Sequence, residues 1–379
     1  MTHDILVSAK TNPKDEFYTQ LEDIEKELKY YKKHFKDKVV FCNCDDPYES
    51  NFFKYFVLNF NNLKLKKLIC TCYSGSPVSG DQLSLFDVDN IDVKEEKQAY
   101  KVELTEVNDF NNDGTIDLYD VEQLLKSNRS IVSLLDGNGD YRSDECLELL
   151  KESDIVVTNP PFSLFRDYVA TLEAFEKKYI IIGSINAITY REIFPLLKNN
   201  HLWLGASIHS GDREFRVPNH YPLRAATTRI DDKGNKYIRV KGVRWFTNLD
   251  YKERHEDIPL VCSYKGNEEK YPKYYNYDAI NVDKTSDIPC DYFGYIGVPI
   301  TFMDKYNPDQ FDIVGLGISN SGLEIGVIPY IKDHKEYRKN IEHKGAVDGD
   351  LYMLDEKGHP VVPYARIIIK RKSKWVRLF

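Results

Sequence analysis

The chain lacks any long apolar segment. No run of about 18 consecutive apolar residues occurs among its 379 residues, so the sequence predicts no membrane span. Its start, Met1 to Asp4, has no basic region followed by an apolar core, so we expect no secretory signal. With 42% hydrophobic and 30% charged residues, the composition is that of a soluble globular protein with one large domain or two.

Cysteine is scarce and odd in number. The seven cysteines lie mostly in apolar or strand-like stretches, which is typical of reduced thiols rather than of a disulfide framework. Cys42, Cys44, Cys70 and Cys72 form two Cys-x-Cys pairs that a zinc site could use, but such pairs on adjacent buried strands are more often part of the core. The sequence therefore favours a cytoplasmic protein whose cysteines pack in its interior.

The chain also lacks the net positive charge that is typical of nucleic-acid binders. Between Asp81 and Glu122, 13 acidic residues face only three lysines, and this local balance of −10 leaves +2 for the rest of a chain whose formal charge is −8. The last 14 residues are basic and contain Arg366, Lys370, Arg371, Lys372, Lys374 and Arg377. The overall acidity therefore does not exclude a DNA-binding function.

The most informative stretch runs from Asp154 to Phe162. Its β-branched run Ile-Val-Val predicts a short buried strand, and Pro160 and Pro161 prevent the strand from continuing. Asn159 is thereby placed at the carboxyl end of a strand, where open α/β sheets bind their ligands. The Asn159 oxygen and the Pro160 carbonyl can accept hydrogen bonds from a planar amino group, and Phe162 can stack on its ring. The alternative is a strand-ending turn without a ligand.

Strands and helices alternate around this stretch. A strand over 38–44, a polar turn, a helix over 52–60 and a strand over 67–72 form one βαβ unit. The pattern predicts further helices over 21–35, 121–126, 144–151, 165–175 and 190–197, and further strands over 130–135, 179–182, 201–204 and 237–246. The sequence therefore predicts an α/β, doubly wound sheet within a domain over 1–250, with an acidic insertion at about 81–128. Residues 251–379 are predicted to form a loop-rich, mixed α+β region.

Part of the acidic insertion matches the pattern of a calcium-binding loop. Oxygen-bearing side chains occupy five ligand positions, and Gly114 stands at the sixth position of the loop. The predicted ligands are Asp109, Asn111, Asp113, Asp117 and Asp120. Asp120 replaces the longer bidentate Glu that is usual at the last position, which should weaken calcium binding. The alternative is an acidic turn that caps the following helix without metal.

Two other stretches carry candidate ligand-binding residues. Asp136 to Ser143 also resembles a calcium loop, but Tyr141 stands where glycine is needed, so we expect a turn that points Asp140 and Tyr141 at a ligand. Beyond Gly205, basic residues are interleaved with aromatic ones. Contact with DNA phosphates is one interpretation of this basic region, and an ordinary solvated surface is the other.

With these residues in view, nearly the whole chain resembles the EcoRI-type adenine-specific DNA methyltransferases. Asn159 to Phe162 matches the catalytic motif of amino-methyltransferases, and Asp15 to Thr19 resembles the amino-terminal motif that folds over S-adenosylmethionine. Asp46 to Phe52 stands where the first cofactor motif belongs, and Asp140–Tyr141 resembles the pair that contacts the cofactor's adenine. Two further stretches, Arg244 to Asn248 and Gly297 to Phe302, are typical of the family but have no assigned chemistry.

The resemblance implies a Rossmann-like, S-adenosylmethionine-dependent methyltransferase sheet, with target recognition over 251–379. It assigns catalysis to Asn159, Pro160, Pro161 and Phe162, and cofactor binding to Phe17, Tyr18, Thr19, Asp45, Asp46, Pro47, Ser50, Asp140, Tyr141 and Asn159. For DNA binding, the candidates are Arg213, Arg216, Arg224 and Arg229, together with a phosphate clamp of Lys370, Arg371 and Lys372.

The sequence departs from the family pattern at the cofactor site. Ser50 and Asn51 replace the usual glycines of the first motif, so the backbone cannot approach the cofactor as closely there. The acidic residue expected on the ribose hydroxyls after the second strand is absent, and Asp45 or Glu49 could replace it.

The expected reaction is methyl transfer to the 6-amino group of a flipped adenine at a specific site in double-stranded DNA. The context would be restriction-modification or a mobile element. We expect a monomer with no membrane partner. A protein glutamine methyltransferase, which also uses Asn-Pro-Pro-aromatic, would not need the basic region after Gly205. A cytosine amino-methyltransferase is a further alternative, although Ser-Pro-Pro-aromatic is commoner there.

Overall fold

A computed structural model describes residues 18–44, 46–47, 50–73, 99–127, 132–217 and 228–372. Among these residues, none of the helices combines the length and the apolar character that crossing a membrane requires. The chain divides into two compact units. Unit 1 comprises Met1–Ser184 and Gly205–Asp250, and unit 2 comprises Ile185–Leu204 and Tyr251–Phe379.

The bounds of the regular elements in chain order are as follows. The α-helices are α1 (Leu21–Leu28), α2 (Asn51–Leu58), α3 (Phe60–Leu63), α4 (Leu118–Ser127), α5 (Asp144–Glu152), α6 (Phe165–Ala174), α7 (Phe194–Lys198), α8 (Ser319–Glu324) and α9 (Lys332–Asn340). The strands are β1 (Val39–Cys42), β2 (Lys67–Thr71), β3 (Tyr100–Leu104), β4 (Val132–Leu134), β5 (Ile155–Thr158), β6 (Lys178–Ser184), β7 (Trp203–Leu204), β8 (Asp212–Val217), β9 (Thr228–Ile230), β10 (Lys236–Lys241), β11 (Val243–Thr247), β12 (Ala279–Asn281), β13 (Tyr295–Pro299), β14 (Phe311–Leu316), β15 (Met353–Leu354), β16 (Pro360–Val361) and β17 (Arg366–Arg371).

Unit 1 is built on a large mixed sheet in which β4, β3, β2, β1, β5, β6 and β11 are neighbours in that order. The central strands β2, β1, β5 and β6 are parallel, whereas β3, β4 and β11 pair in antiparallel fashion. Every residue of β1 and β5 is buried, as their apolar sequences predict. The prediction of an α/β fold with parallel central strands is confirmed. Because the chain order reverses between β1 and β5, a topological switch point lies at their carboxyl ends.

Several predicted elements differ from the observed ones. The segment predicted as one strand over 237–246 forms β10 and β11, which enter different sheets on either side of Gly242. Gly242 has a φ of 66°, a left-handed conformation that glycine adopts without steric cost. The predicted helix over 21–35 ends at Leu28, and a short 3₁₀ helix follows at Lys32–His34. Strand β3, inside the acidic insertion, was not predicted.

A small antiparallel sheet of unit 1 contains most of the described part of the basic region. Its strand order is β8, β10, β9. Phe215 and Val217 of β8 are buried, so one face of this sheet packs into the unit. Tyr18 forms an antiparallel bridge to Arg216 of β8, with backbone N–H to O distances of 2.8 and 3.1 Å. The small sheet is thus joined to the start of the described chain.

Unit 2 has a core of its own. Its main sheet has the order β12, β13, β17, β14, and Ile367, Ile368 and Ile369 of β17 are buried in its centre. A Cβ on Gly297 of β13 would lie 2.2 Å from the hydroxyl of Tyr274, so the packing requires glycine there. This close approach gives the family-typical stretch that begins at Gly297 a structural role.

Candidate active site

The predicted catalytic stretch lies at the carboxyl end of β5. Asn159 follows the strand directly, and its exposed fraction is only 6%. Pro160 is buried, Pro161 is half-buried, and the partly exposed Phe162 opens a short 3₁₀ helix that leads into α6. Because β5 pairs with β1, Asn159 ends a strand that flanks the switch point. A buried amide at a strand end is suited to binding one specific polar ligand.

A pair of tyrosines links the catalytic stretch to the neighbouring strand. Tyr168 of α6 donates a hydrogen bond to the side-chain oxygen of Asn43, which follows β1. The ring of Tyr141 packs edge-on against that of Tyr168, with centroids 4.9 Å apart. Burial raises the pKa of both phenols above the ordinary value, so both hydroxyls remain protonated at neutral pH. Asn43 and Tyr168 were missed in the sequence, although Asn43 follows an apolar strand just as Asn159 does.

Asp46, which follows β1, is hydrogen-bonded to residues at the end of β2 and at the start of β3. Its buried carboxylate accepts a hydrogen bond from the hydroxyl of Tyr100 at 2.9 Å and one from the thiol of Cys72 at 3.1 Å. Cys72 follows β2, where the family pattern has an acidic residue for the ribose. The structure therefore brings the Asp46 carboxylate to this strand end. Asp45 and Glu49, the other acidic candidates, lie outside the described residues.

The stretch predicted as the first cofactor motif is held by capping and by a side-chain contact. The Ser50 hydroxyl accepts from the N–H groups of Phe52 and Phe53 and so caps α2. The side-chain amide of Asn51 donates to the carbonyl of Thr19 at 2.7 Å. Through this contact the amino-terminal motif, represented here by the buried Tyr18 and Thr19, lies beside the start of α2. Phe17 lies outside the described residues.

The turn that carries Asp140 and Tyr141 lies against the end of β2. Gly139 has a φ of 73°, and a Cβ there would lie 2.2 Å from the backbone oxygen of Cys72. The Asp140 carboxylate accepts two hydrogen bonds from the guanidinium of Arg142, at 2.9 and 2.7 Å. Part of the Asp140 carboxylate is therefore occupied by an ion pair.

The family-typical stretch from Arg244 to Asn248 connects the helices on the two faces of the sheet. Trp245 packs edge-on against Phe52 of α2 at 6.0 Å, and Phe246 packs against Phe165 of α6 at 5.0 Å. Successive residues of a strand point to opposite faces, which explains how neighbours in β11 reach both helices. This strand thus supports the helix after the catalytic stretch and the helix of the first cofactor motif.

The candidate DNA-binding residues occupy different settings. Arg213 lies 4.0 Å from the carboxylate of Asp23, whereas Arg229 pairs with Glu214 at 2.7 Å. In unit 2, Lys370 and Arg371 lie over the rings of Tyr295 and Phe293, at 5.5 and 5.1 Å, and Lys372 lies 3.3 Å from Asp312. Arg224, Lys374 and Arg377 lie outside the described residues.

The acidic loop bonds largely to itself. Asp109 accepts from the N–H of Gly114 at 2.7 Å, and the buried Asp120 accepts from those of Phe110 and Asp117 at 2.7 and 2.8 Å. In the described ranges, no group of three or more His, Cys, Asp or Glu side chains could hold a metal ion. Calcium binding by Asp109, Asn111, Asp113, Asp117 and Asp120 stays a prediction.

Comparison with known proteins identifies the family. The family model described as "Adenine-specific methyltransferase EcoRI" matches residues 5–372. The Type II methyltransferase M.EcoRI of Escherichia coli is 48% identical over 337 residues, which cover 87% of this chain and 95% of that protein. Type II methyltransferase M.MpnI of Mycoplasma pneumoniae is 36% identical over 341 residues, covering 89% and 93%. No solved structure shows significant similarity to the chain. The chain therefore belongs to the EcoRI family of adenine-specific methyltransferases, as its motifs predicted.

Proposed function

We propose that this protein transfers a methyl group from S-adenosylmethionine to the 6-amino group of a flipped adenine in double-stranded DNA. Membership of an adenine-specific family favours this reaction over methylation of cytosine or of a glutamine amide. The structural observation that carries the proposal is the burial of Asn159 at the end of β5, beside the switch point of the sheet.

The residues around the switch point fit S-adenosylmethionine. The hydroxyls of Thr19 and Tyr141 are buried and have no hydrogen-bond partner within the described part of the chain. Leaving such a group unsatisfied costs about 1–3 kcal/mol, a cost that a polar ligand would offset. We assign cofactor binding to Tyr18, Thr19, Asp46, Pro47, Asp140 and Tyr141, with Ser50 acting through the start of α2. The predicted Phe17 and Asp45 belong to the same proposal.

Asn159 and Pro160 would activate the target nitrogen. The lone pair of an adenine amino group is delocalised into the ring, so this nitrogen is a weak nucleophile. If the Asn159 side-chain oxygen and the Pro160 carbonyl each accept one amino hydrogen, the nitrogen becomes pyramidal and its lone pair is freed. The bound cofactor supplies an electrophilic methyl group on a sulfonium. Because the nitrogen becomes acidic only after methylation, positioning replaces general-base catalysis.

Phe162 would receive the flipped base. Taking an adenine out of the duplex costs a few kcal/mol, and stacking on an aromatic ring recovers part of that. Phe162 is partly exposed at the start of its 3₁₀ helix, directly after the two prolines. Pro161 would limit the conformations available to the backbone that connects it to Asn159.

DNA binding would use both units. We propose that Arg213, Arg216, Arg224 and Arg229 contribute from unit 1, and that unit 2 acts in target recognition, with Lys370, Arg371 and Lys372 contacting phosphates. We expect a monomer to be sufficient for activity.

The test is to incubate the protein with a plasmid and S-adenosylmethionine and to sequence the product with a method that detects methylated bases. We expect N6-methyladenine at one short sequence. Methylation confined to cytosine, or to a protein glutamine with none in DNA, would contradict the proposal. The experiment also identifies the target sequence.

A further inference from the structure

One row of side chains crosses the small antiparallel sheet of unit 1. Tyr237 of β10 stands directly opposite Arg216 of β8 and opposite Arg229 of β9. Residues directly opposite one another in antiparallel strands share a face, so these three side chains lie side by side. The other face carries Phe215, which is buried. The row therefore belongs to the outer face of the sheet, where half of the Arg229 side chain is exposed.

Arg229 is held in one orientation by two neighbours on this face. Its Nε and Nη2 atoms donate to the two carboxylate oxygens of Glu214, at 3.2 and 2.7 Å. The centre of its guanidinium lies 4.3 Å from the ring centroid of Tyr237. The Tyr237 ring is itself fixed, because its hydroxyl donates to Asp231 at 3.1 Å. A planar guanidinium held in this way loses little further freedom when it binds a ligand.

Glu214 is the acidic member of this basic face. It pairs with Arg229 and lies 4.0 Å from the Nε atom of Arg239. The hydrogen bond from Arg229 lowers the pKa of Glu214, so its carboxylate is ionised at neutral pH. Glu214 thus neutralises one positive charge on a face that also carries Arg216 and Arg239.

Among the residues that the structure describes, the contacts of Arg229 leave one edge of its guanidinium for a partner. The bonds to Glu214 use the Nε–H and one N–H of Nη2, so Glu214 does not engage Nη1 or the second N–H of Nη2, which together form the Nη1–Nη2 edge. Two parallel N–H donors match a pair of acceptors, either N7 and O6 of guanine or two oxygens of one phosphate. We infer that Arg229, held by Glu214 and Tyr237, presents this edge to double-stranded DNA. The inference rests on the proposed function.

Arg213 and Arg229 lie on opposite faces of the small sheet. Arg213 lies on the strand face shared with Phe215, and its partner is Asp23 at 4.0 Å. Arg213 therefore faces Asp23 of α1, whereas Arg229 is held by Glu214 and Tyr237 on the outer face.

The test measures binding to two duplexes. One contains the sequence that the plasmid experiment shows to be methylated, and the other is scrambled. We expect Arg229→Gln to weaken binding of the target duplex about tenfold or more, because a bidentate contact is lost. Glu214→Gln keeps the Arg229 side chain but removes the carboxylate that holds its guanidinium in place. We therefore expect weaker binding of the target duplex and unchanged or tighter binding of the scrambled duplex. The KM for S-adenosylmethionine should stay within about twofold in both variants.

Matched controls come from another exposed ion pair of unit 1. Glu22 and Lys26 of α1 lie 2.7 Å apart, and Glu22→Gln and Lys26→Gln make the same charge changes at a site to which we assign no DNA contact. Both control variants should bind DNA like the wild type.

A loss of binding by Arg229→Gln that is restricted to the target duplex would identify the guanine edge as the acceptor. Equal loss on both duplexes with a flatter salt dependence would identify phosphate.

Failure of the Arg229 assignment can be distinguished from failure of the proposed function. If Arg229→Gln and Glu214→Gln bind both duplexes like the wild type while the wild type methylates DNA, the assignment of Arg229 is wrong. If the wild-type protein does not methylate DNA, the proposed function itself fails. Thermal unfolding of both variants verifies that any loss of binding arises in the folded protein.

Discussion

The hydroxyl of Tyr168 donates a hydrogen bond to the side-chain oxygen of Asn43. Tyr168 belongs to the helix after the catalytic stretch, and Asn43 follows the strand beside it in the sheet. The bond therefore joins the two segments that flank the switch point. The ring of Tyr141, a proposed cofactor-binding residue, packs on the ring of Tyr168. The hydrogen bond of Tyr168 therefore helps to position Tyr141 as well.

Tyr168→Phe should loosen the cofactor site while keeping its ring contacts. Loss of one buried hydrogen bond should lower the free energy of unfolding by about 1 kcal/mol. If cofactor binding loses the same free energy because Tyr141 is less well positioned, the KM for S-adenosylmethionine should rise about fivefold. Tyr179→Phe is the matched control, because the buried Tyr179 donates to Glu173 at 2.8 Å. Steady-state kinetics and urea unfolding of both variants provide the comparison. An equal change in KM in the two variants would exclude a positioning role for Tyr168.

Asn159→Ala should remove catalysis and spare binding. Without the side-chain oxygen, the amino group of adenine loses one of its two proposed acceptors. We expect kcat to fall by about 10²–10³ or more, with cofactor and DNA affinities close to those of the wild type. Asn61→Ala, which removes another side-chain amide of unit 1, serves as the control. Transfer of labelled methyl groups to DNA at a rate near that of the wild type would overturn the proposed role of Asn159.

The central strands could be predicted because their sequence pattern is local. The apolar runs that end at Cys42 and Thr158 form buried parallel strands, and the prolines after Asn159 end the second of them. The division of the predicted strand over 237–246 depends instead on the backbone conformation of one residue, Gly242. A glycine in a strand-like pattern does not reveal whether the chain bends there.

The contacts within the site could not be predicted because they join distant parts of the chain. Tyr168 and Asn43 are 125 residues apart, and no local period connects them. The approach of Asp46 to Cys72 likewise requires the sheet to be assembled. For this reason the sequence assigns a catalytic role to Asn159 to Phe162 as a prediction, and it leaves the residue for the ribose undefined.

Asp120→Ala should destabilise the acidic loop whether or not calcium binds. The buried carboxylate accepts two backbone hydrogen bonds, so its removal should lower the free energy of unfolding by about 1–2 kcal/mol in the presence of a chelator. Asp113→Ala removes a carboxylate from the exposed part of the loop and should cost less. Urea unfolding measures both effects. An Asp120→Ala variant as stable as the wild type would show that these bonds do not hold the loop.

Calcium binding is tested separately by calorimetric titration of the wild-type protein. If the loop binds calcium with oxygen ligands, heat should appear by millimolar concentrations, because the shorter Asp120 weakens the site. Asp109→Ala removes the first predicted ligand and should abolish that heat. No heat at millimolar calcium would eliminate the calcium prediction and leave the capping interpretation.

The buried Glu27 should make stability depend on pH. Its carboxylate accepts hydrogen bonds from the N–H groups of Ala206 and Ser207, at 2.8 and 2.7 Å, and from the hydroxyl of Tyr31 at 2.8 Å. Burial nevertheless raises the pKa of Glu27 above its ordinary value of 4.5. The folded protein thus holds this proton more tightly than the unfolded chain does. As the pH rises from 4.5 to the folded-state pKa, the contribution of Glu27 to the free energy of unfolding therefore falls, and above that pKa it becomes constant.

Glu27→Gln removes the titration of this carboxyl group. The free energies of unfolding of the wild type and of the variant should therefore depend differently on pH. We expect the free energy of unfolding of the wild type, minus that of the variant, to decrease as the pH rises above 4.5. Urea unfolding across a pH series measures the difference. Glu22→Gln on the exposed side of the same helix should not reproduce it, because the pKa of Glu22 is lowered by Lys26 and its titration has the opposite sign. Parallel curves for the wild type and Glu27→Gln would show that burial does not control the protonation of Glu27.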